Sequence, residues 1–321
     1  MNQSTAGNDR GNGSRMTATT TNPNSVRRLD GQIAVVTGGT DGIGLHTAGG
    51  LARLGARVII TGRDPARGER AVQQIRTQAG HGRVEFAQVD HLTVGANQRF
   101  AEHLESRLDR LDLLVNNVGR VFPARQETQD GYESTLALCL LGPYALTEAA
   151  LPLLDRRRGA QVVNMSSSAY KMWHHGPFDD VESEREYVGI RAHAHAKLLN
   201  LIWTFALAKR LRDHHVTVNA ANPGAAWTPG TAQLTPQAIP AWKYVWPIVR
   251  FFQRRASPVK AAQSPLWLIT ANDAAGLTGS YVENHKIKHP KVATNADNQR
   301  RVMDLVEALV ATAPTAGRRP W

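Results

Sequence analysis

The chain has 321 residues, of which 42% are hydrophobic and 20% charged, a globular composition long enough to bury a large core. Its single cysteine, Cys139, excludes a disulfide framework and a cysteine-rich zinc site, and favours a reducing, cytoplasmic location. Because no apolar run reaches about 18 residues, we expect no membrane span. The net charge of +11 falls largely at the two chain ends, and no basic helix carries interleaved aromatics, so we expect no nucleic-acid partner.

Two parts of different character follow each other along the chain. Residues 1–30 consist largely of Asn, Gly, Thr and Ser and offer almost nothing to bury, which predicts a disordered leader. Met16 within this leader is an alternative start. Residues 31–321 carry the apolar pattern of a single domain.

Short β-branched runs alternate with helical periodicity through most of this domain. The predicted strands are Ile33–Thr37, Arg57–Thr61, Val84–Val89, Leu111–Asn116, Gln161–Ser166, Thr217–Ala220 and Gly279–Val282. Helical segments such as Ile43–Leu54, Pro65–Gln78 and Gly95–Leu108 lie between them. This alternation predicts an α/β fold: a doubly wound, Rossmann-type parallel sheet of about seven strands with helices on both faces.

Two long connections interrupt the alternation. Residues 168–190 contain Trp173, two histidines and a run of acids, and residues 229–262 contain five prolines and several aromatic side chains. Connections of this length are typical of binding loops and lids. We therefore expect a substrate lid at residues 229–262. Its aromatic stripe between Trp242 and Phe252 either packs on the core or forms apolar walls for a large planar substrate.

A glycine-rich turn follows the first predicted strand and opens the first predicted helix. Its glycines would permit a sharp turn at Gly38, close approach of a pyrophosphate at Gly42 and tight helix packing at Gly44. The free N–H groups at a helix N-terminus bind phosphate. The expected cofactor-binding residues of this turn are Gly38, Thr40, Asp41, Gly42, Ile43 and Gly44.

The tip of the second predicted strand bears on the choice of cofactor. Gly62 and Arg63 follow this strand directly. An NAD site usually places an acid at the strand tip, where it accepts hydrogen bonds from ribose hydroxyls. A guanidinium instead suits the 2′-phosphate of NADP, so Arg63 predicts NADP(H) as cofactor.

Further motifs occur in a fixed order between residues 32 and 309. They are Thr37-Gly38…Gly42-Ile43-Gly44, Asp90, Asn116-Asn117-Val118-Gly119, Val163-Asn164-Met165-Ser166-Ser167 and Asn219…Pro223-Gly224…Thr228. In this order the chain resembles the short-chain dehydrogenase/reductase superfamily. Gly131-Tyr132-Glu133, Leu141-Gly142 and Lys197-Leu198 make it most similar to the retinol-dehydrogenase-like branch. The resemblance implies a Rossmann-type fold and NAD(P)-dependent oxidoreductase activity.

The resemblance also implies roles in cofactor binding. Asp90 and the backbone of His91 would face the adenine, although the family usually has a hydrophobic residue at the position of His91. The remaining expected contacts, with the ribose, nicotinamide and pyrophosphate groups, are Asn117, Gly119, Lys197, Pro223, Gly224 and Thr228.

The expected catalytic residues depart from the family pattern. The family's working unit is Asn–Ser–Tyr–Lys, with the tyrosine four residues before the lysine, so that both face the nicotinamide from one helix. Ser167 and Lys197 match this unit, whereas His193 occupies the tyrosine position. Cys139 occupies the asparagine position and is not expected to be catalytic. No nearby tyrosine has the required spacing to Lys197.

Three hypotheses account for the missing tyrosine. His193 could serve as the acid, since the reference pKa of histidine, about 6.5, suits proton transfer near neutrality. The substrate could supply its own proton from a hydroxyl that is hydrogen-bonded to its ketone. The fold could also be a non-catalytic NADP-binding sensor or scaffold.

Members of the superfamily that lack the tyrosine include reductases of aromatic polyketides. By that likeness we expect an NADPH-dependent ketoreductase acting on an angucyclinone-type polyketide in antibiotic biosynthesis, with substrate-assisted proton transfer. The extra residues between Ser167 and His193 resemble the insert of monomeric carbonyl reductases, so we expect a monomer. The adjacent pairs His174-His175 and His214-His215 have no placed carboxylate partner, so we expect no metal site.

Overall fold

The computed structural model describes residues 26–156, 159–226 and 255–313. In these residues one sheet has the strand order β3-β2-β1-β4-β5-β6-β7-β8. The strands are β1 (Ile33–Val36), β2 (Arg57–Gly62), β3 (Val84–Gln88), β4 (Leu113–Asn116), β5 (Gln161–Met165), β6 (Thr217–Asn222), β7 (Ser280–Glu283) and β8 (Lys286–Lys288). Strands β1 to β7 run parallel, and β8 is antiparallel to β7. The prediction of a doubly wound parallel sheet is confirmed.

Helices cover both faces of this sheet. Those of eight residues or more are α1 (Gly42–Arg53), α2 (Pro65–Ala79), α3 (Val94–Glu105), α4 (Ser134–Asp155), α5 (Gly189–Arg210), α6 (Gln263–Thr270) and α7 (Ala296–Thr312). One apolar cluster packs α3, α4, α5 and α7 on one face, and a second packs α1, α2 and α6 on the other. Successive strand residues point to opposite faces, so Val35 enters the first cluster while Ala34 and Val36 enter the second.

Strand β8 is the one correction to the predicted sheet. It adds an antiparallel edge strand of three exposed residues, Lys286–Lys288, in which Ile287 alone is apolar. The two residues before it, Asn284 and His285, have φ values of 51° and 58°, which suit a two-residue hairpin turn. So short and polar a run carries no hydrophobic pattern, which is why the sequence did not indicate it.

Helix α4 is apolar along most of its length. Among the described residues it is the one helix long and apolar enough to cross a membrane, but 78% of its most apolar window is buried inside the fold. It therefore packs as a core helix between α3 and α5. Its segment Ala137–Leu141 is π-helical.

The domain starts before the predicted boundary at residue 30. Val26 pairs with Ala271 in an isolated β-bridge, and Leu29 is fully buried with its N–H donating to the Leu54 carbonyl across 2.8 Å. The bridge at Val26 and the burial of Leu29 together tie residues 26–30 to the fold. The rest of the predicted leader lies outside the described residues, as do residues 229–254 of the predicted lid. Within the lid, Pro258–Ala261 forms a helical turn capped by Ser257.

Candidate active site

The strand order changes direction between β1 and β4, at the centre of the sheet. Ligands of open α/β sheets bind at the carboxyl ends of the strands beside such a point. Two cavities occupy this edge, one of about 600 Å³ and one of about 210 Å³. Ile43, Asn117, Gly119 and Arg120 line both cavities, so together they form one continuous site.

The glycine-rich turn forms one wall of the larger cavity. All six of its expected residues line this cavity: Gly38, Thr40, Asp41, Gly42, Ile43 and Gly44. Gly38 has a φ of 63°, and a Cβ on Gly44 would lie 2.3 Å from the Gly38 carbonyl oxygen, so both positions require glycine. The N-cap residue of α1 makes no side-chain cap, and the first turn carries no acid. The N–H groups that precede Leu45 in the first turn of α1 therefore remain available for an anion such as a pyrophosphate.

The tip of β2 supplies positive charge to the same cavity. A Cβ on Gly62 would lie 2.6 Å from Thr40 Cγ2, so a larger side chain here would displace the glycine-rich turn. Arg63 is exposed, lines the cavity and has no carboxylate partner in the described part of the chain. Arg67, in the first turn of α2, also lines the cavity and pairs with Asp41 across 3.4 Å. The sequence analysis missed Arg67, although its spacing of four residues from Arg63 was a usable signal.

The segments after β3 and β4 complete the larger cavity. Asp90 and His91, which the sequence analysis expected to face the adenine, line this cavity two and three residues beyond the end of β3. Asn117 uses its side chain to hold the glycine-rich turn: its Nδ2 donates to the Thr37 carbonyl across 2.8 Å and to the Gly38 carbonyl across 3.3 Å. The amide nitrogen of Asn117 is therefore already used in hydrogen bonds, and this side chain holds the glycine-rich turn in place as well as lining the cavity.

The smaller cavity brings together the residues that the sequence analysis expected to be catalytic. Its lining includes Ser167, His193, Lys197, Pro223 and Gly224. Lys197 is 5% exposed and donates from Nζ to the Met165 carbonyl across 2.7 Å. The Ser167 hydroxyl oxygen accepts from the Ala169 N–H across 3.1 Å, which leaves the hydroxyl proton free to be donated.

Two expected site residues stand apart from this cavity. Cys139 is buried and is not among the residues that line it. A Cβ on Gly119 would lie 3.6 Å from Cys139 Sγ and 3.3 Å from Lys197 Nζ, so the thiol sits behind the cavity wall near the lysine. Burial raises the pKa of Cys139, which keeps the thiol protonated. Thr228 lies outside the described residues.

His193 is the residue in the cavity whose protonation is most strongly perturbed. Withdrawal from water and the nearby ammonium of Lys197 lower its pKa to about 3, against a smaller opposing effect of the Arg120 backbone. Its Nδ1 is buried and makes no hydrogen bond. A neutral imidazole can donate a hydrogen bond from one nitrogen, but it is not the cationic acid that the first hypothesis requires.

No tyrosine lines the smaller cavity among the described residues. The Tyr187 hydroxyl donates to the Phe122 carbonyl across 3.1 Å, and burial raises its pKa to about 12. Tyr170 packs edge-on against Tyr281 with ring centroids 5.6 Å apart. Both hydroxyls belong to other environments, so neither stands in for a cavity tyrosine.

A buried polar network anchors α5, the helix that carries His193 and Lys197. Asn116 Nδ2 donates to Asn164 Oδ1 across 2.8 Å, and Asn164 Nδ2 donates to Thr204 Oγ1 across 2.9 Å. Asn200 Nδ2 donates to the carbonyl of Cys139 in the π-helical segment across 2.9 Å. The sequence analysis missed this network, although amides inside otherwise apolar runs were its signal.

Comparison with known sequences places the chain among oxidoreductases. The sequence model described as "short chain dehydrogenase" matches residues 32–177. Mouse retinol dehydrogenase 12 is 33% identical over 273 residues, covering 85% of this chain and 83% of the mouse protein. Human dehydrogenase/reductase SDR family member 13 is 31% identical over 303 residues, covering 91% of this chain and 76% of the human protein.

Solved structures share the fold. An uncharacterized protein from Mycobacterium paratuberculosis aligns with a TM-score of 0.67 at 24% identity, covering 91% of this chain and 97% of the other. The Pseudomonas aeruginosa RhlG/NADP active-site complex aligns with a TM-score of 0.60 at 29% identity, covering 79% of this chain and 95% of the other. The second of these relatives was solved with NADP in its active site.

Proposed function

Because the chain belongs to the short chain dehydrogenase family, whose members are NAD(P)-dependent oxidoreductases, we propose that it is an NADPH-dependent ketoreductase. The observation that carries this proposal is the meeting of Ser167, His193 and Lys197 in a cavity continuous with the one lined by the glycine-rich turn. The proposed substrate is an angucyclinone-type aromatic polyketide, one carbonyl of which is reduced in antibiotic biosynthesis. The single buried Cys139 supports a reducing, cytoplasmic location.

The residues of the larger cavity fit a dinucleotide. Its volume of about 600 Å³ lies in the usual range for a small-molecule site, and the open N-terminus of α1 suits the pyrophosphate. Arg63, unpaired in the described part of the chain, supports NADP over NAD, as does the NADP bound to the Pseudomonas aeruginosa relative. When bound, NADPH supplies the hydride for reduction of the carbonyl.

Residues of the smaller cavity would bind and polarise the carbonyl. The Lys197 ammonium has three N–H donors, one of which is used on Met165, so two remain for ligand hydroxyls. Its positive charge would stabilise the negative charge that develops on the carbonyl oxygen. The Ser167 hydroxyl, whose proton is free, would donate to the same oxygen.

Transfer of a proton to the carbonyl oxygen is the step for which the described lining of this cavity contains no tyrosine. His193 is neutral because burial and Lys197 lower its pKa to about 3. A polyketide phenol beside the quinone carbonyl already shares its proton through a six-membered hydrogen-bonded ring. In the proposed mechanism the substrate therefore protonates itself, and the protein aligns substrate and cofactor.

The alternative function is a catalytically silent NADP-binding sensor or scaffold. The smaller cavity favours this alternative in one respect: it combines a neutral His193 with no tyrosine among the described residues. Steady consumption of NADPH with a hydroxyquinone polyketide separates the two. The ketoreductase consumes NADPH in proportion to added substrate over many turnovers. A sensor binds NADPH and leaves it unconsumed with every quinone tried, which would overturn the proposed function.

A further inference from the structure

His91 is buried at the floor of the larger cavity, with both ring nitrogens in hydrogen bonds. The residue is 5% exposed. Its Nε2 lies 2.6 Å from Thr61 Oγ1 on β2, and its Nδ1 lies 2.6 Å from Asn97 Oδ1 on α3. The ring therefore joins β2 to the first turn of α3, which begins about 30 residues further along the chain.

The direction of each hydrogen bond around His91 is determined by its neighbours. Asn97 Nδ2 donates to two backbone carbonyls, those of Thr93 across 2.8 Å and of His91 itself across 3.3 Å. Carbonyls only accept, so the amide oxygen of Asn97 must face the ring, and His91 Nδ1 must carry the proton. The bare Nε2 then accepts from the hydroxyl of Thr61.

Thr61 connects the His91 ring to the glycine-rich turn. The Gly38 N–H donates to Thr61 Oγ1 across 3.2 Å, and the Gly39 N–H donates to the Thr61 carbonyl across 3.1 Å. With its proton directed to His91, the Thr61 oxygen is an acceptor for Gly38. One chain of hydrogen bonds thus runs from Gly38 through Thr61 and His91 to Asn97.

The chain of hydrogen bonds requires a neutral imidazole. Burial lowers the pKa of His91 to about 4, although Asn97 and the charge of Asp90 oppose this effect. A second ring proton on Nε2 would face the Thr61 oxygen and force its hydroxyl to reverse. The reversed hydroxyl proton would point towards the Gly38 N–H, so that two hydrogen-bond donors would face each other.

We propose that His91 is a positioning residue for the dinucleotide: through Thr61 it holds the glycine-rich turn at Gly38, and through Asn97 it holds the segment Asp90–Leu92. Both segments line the larger cavity. The inference rests on the proposed function, which assigns that cavity to NADPH. A hydrophobic side chain at position 91, as the family usually has, would fill the space but make neither hydrogen bond. Pre-organised walls spare the ligand the cost of ordering them.

The test measures NADPH affinity by isothermal titration calorimetry on the full-length chain. His91→Leu removes both hydrogen bonds, and we expect the Kd for NADPH to rise about tenfold, the value of one to two neutral hydrogen bonds. His91→Gln offers one acceptor and one donor in the same order, so it should restore most of the affinity. His81→Leu is the matched control, because the His81 ring contacts the Ala52 carbonyl at the far end of α1.

Coupling between His91 and Thr61 is the second readout. We expect Thr61→Val to weaken NADPH binding as well. The double variant His91→Leu/Thr61→Val should bind NADPH no less tightly than whichever single variant binds it less tightly, since both substitutions break the same series of hydrogen bonds. Independent, additive losses would overturn the proposal. So would equal weakening by His91→Leu and His91→Gln, because packing alone would then explain the effect.

The tautomer of His91 can be measured by NMR on the unmutated protein, so this test does not depend on whether a variant folds. Nitrogen-15 chemical shifts of the His91 ring should show Nδ1 protonated and Nε2 bare near neutral pH. The opposite tautomer would contradict the chain of hydrogen bonds from Gly38 to Asn97, and with it the proposal. If the unmutated chain binds neither NADPH nor NADH, the proposed function fails and the positioning role fails with it. If the unmutated chain binds NADPH and His91→Leu binds it equally well, the positioning role alone fails.

Discussion

His193 and Lys197 lie one helical turn apart on α5 and line the same cavity, where the ammonium of Lys197 helps to lower the pKa of His193 to about 3. A lysine in this position favours the ionised form of a neighbouring tyrosine, because opposite charges attract. The same lysine disfavours an imidazolium, because like charges repel. The electrostatic effect of Lys197 on His193 is therefore the reverse of the effect it would have on a tyrosine at the same position.

His193→Phe should lower kcat by less than about tenfold, because a neutral imidazole does not supply the proton and loss of a true general acid costs about 10²–10⁴-fold. The pH dependence of kcat between about pH 6 and 8 should also be the same in the unmutated protein and in the variant, because His193 does not titrate in this range. Steady-state kinetics with a hydroxyquinone polyketide checks both expectations. A loss above a hundredfold would return His193 to the role of acid.

Substrate assistance makes a prediction about the substrate itself. The O-methyl ether of the phenol beside the reduced carbonyl cannot donate a proton, so we expect its kcat to fall by about 10²-fold or more. A binding measurement confirms that the ether still occupies the site. Full activity on a bound ether would contradict the mechanism.

Arg63 should set the cofactor preference. We expect NADPH to bind at least about tenfold more tightly than NADH, since the guanidinium can pair with the 2′-phosphate, and Arg63→Asp to abolish this difference. Arg70→Asp is the matched control, because Arg70 is an exposed arginine of α2 that is not among the residues lining the cavity. Equal affinities of the unmutated protein for the two cofactors would contradict the assignment.

Asp41→Asn should tighten NADPH binding about two- to fivefold at low salt. The carboxylate of Asp41 pairs with Arg67 at the cavity edge and would compete with a phosphate for that arginine. The effect should shrink as salt screens the charges. Titrations at two salt concentrations measure this change, and weaker NADPH binding by the variant at low salt would refute the competition.

Acid should destabilise the fold through its buried histidines. The pKa values of His91 and His193 are lowered to about 4 and about 3, so the unfolded chain binds more protons than the folded chain below about pH 6.5. The free energy of unfolding should therefore fall as the pH drops from 6.5 towards 4. Urea unfolding at several pH values measures this slope, which should be shallower in His193→Phe. An unchanged slope in that variant would show that His193 does not contribute.

Asn164→Leu should lower the stability of the whole domain. It removes one hydrogen bond from Asn116 Nδ2, which still donates to Thr147 Oγ1, and one from Thr204 Oγ1, which still donates to the Asn200 carbonyl. We expect a cost of about 0.5–1.5 kcal/mol for each lost hydrogen bond. Gln73→Leu, at an exposed position of α2, is the control and should change stability by less than about 0.5 kcal/mol. Denaturant unfolding compares the two, and equal stabilities would contradict a structural role of the network.

The protein should be a monomer. The insert after β5 folds onto α5 and α7: Trp173 stacks on His195 with centroids 3.9 Å apart, and Phe178 lies under the guanidinium of Arg301 at 4.2 Å. The surface of α5 and α7 beneath this insert is therefore covered and is not open to a second copy of the chain. Light scattering should give the mass of one chain at every concentration. A dimer that persists on dilution would contradict this expectation.

Local patterns in the sequence determined much of the fold and part of the site. Alternating β-branched runs and helical periodicity located β1 to β7 within two residues at every boundary, because strand and helix periods are properties of neighbouring residues. The spacing of His193 and Lys197 likewise determined that they share a face of α5, since residues four apart on a helix are neighbours. The glycine-rich turn was recognisable for the same reason.

Only the tertiary structure decided what those residues are bonded to and how they are charged. The relay from Gly38 through Thr61 and His91 to Asn97 joins side chains from separate strands, loops and helices, and no local pattern specifies such a contact. The neutral state of His193 follows from its burial beside Lys197, which the sequence alone does not reveal. Periodicity is set by neighbours along the chain, whereas hydrogen-bond partners and desolvation are set by neighbours in space.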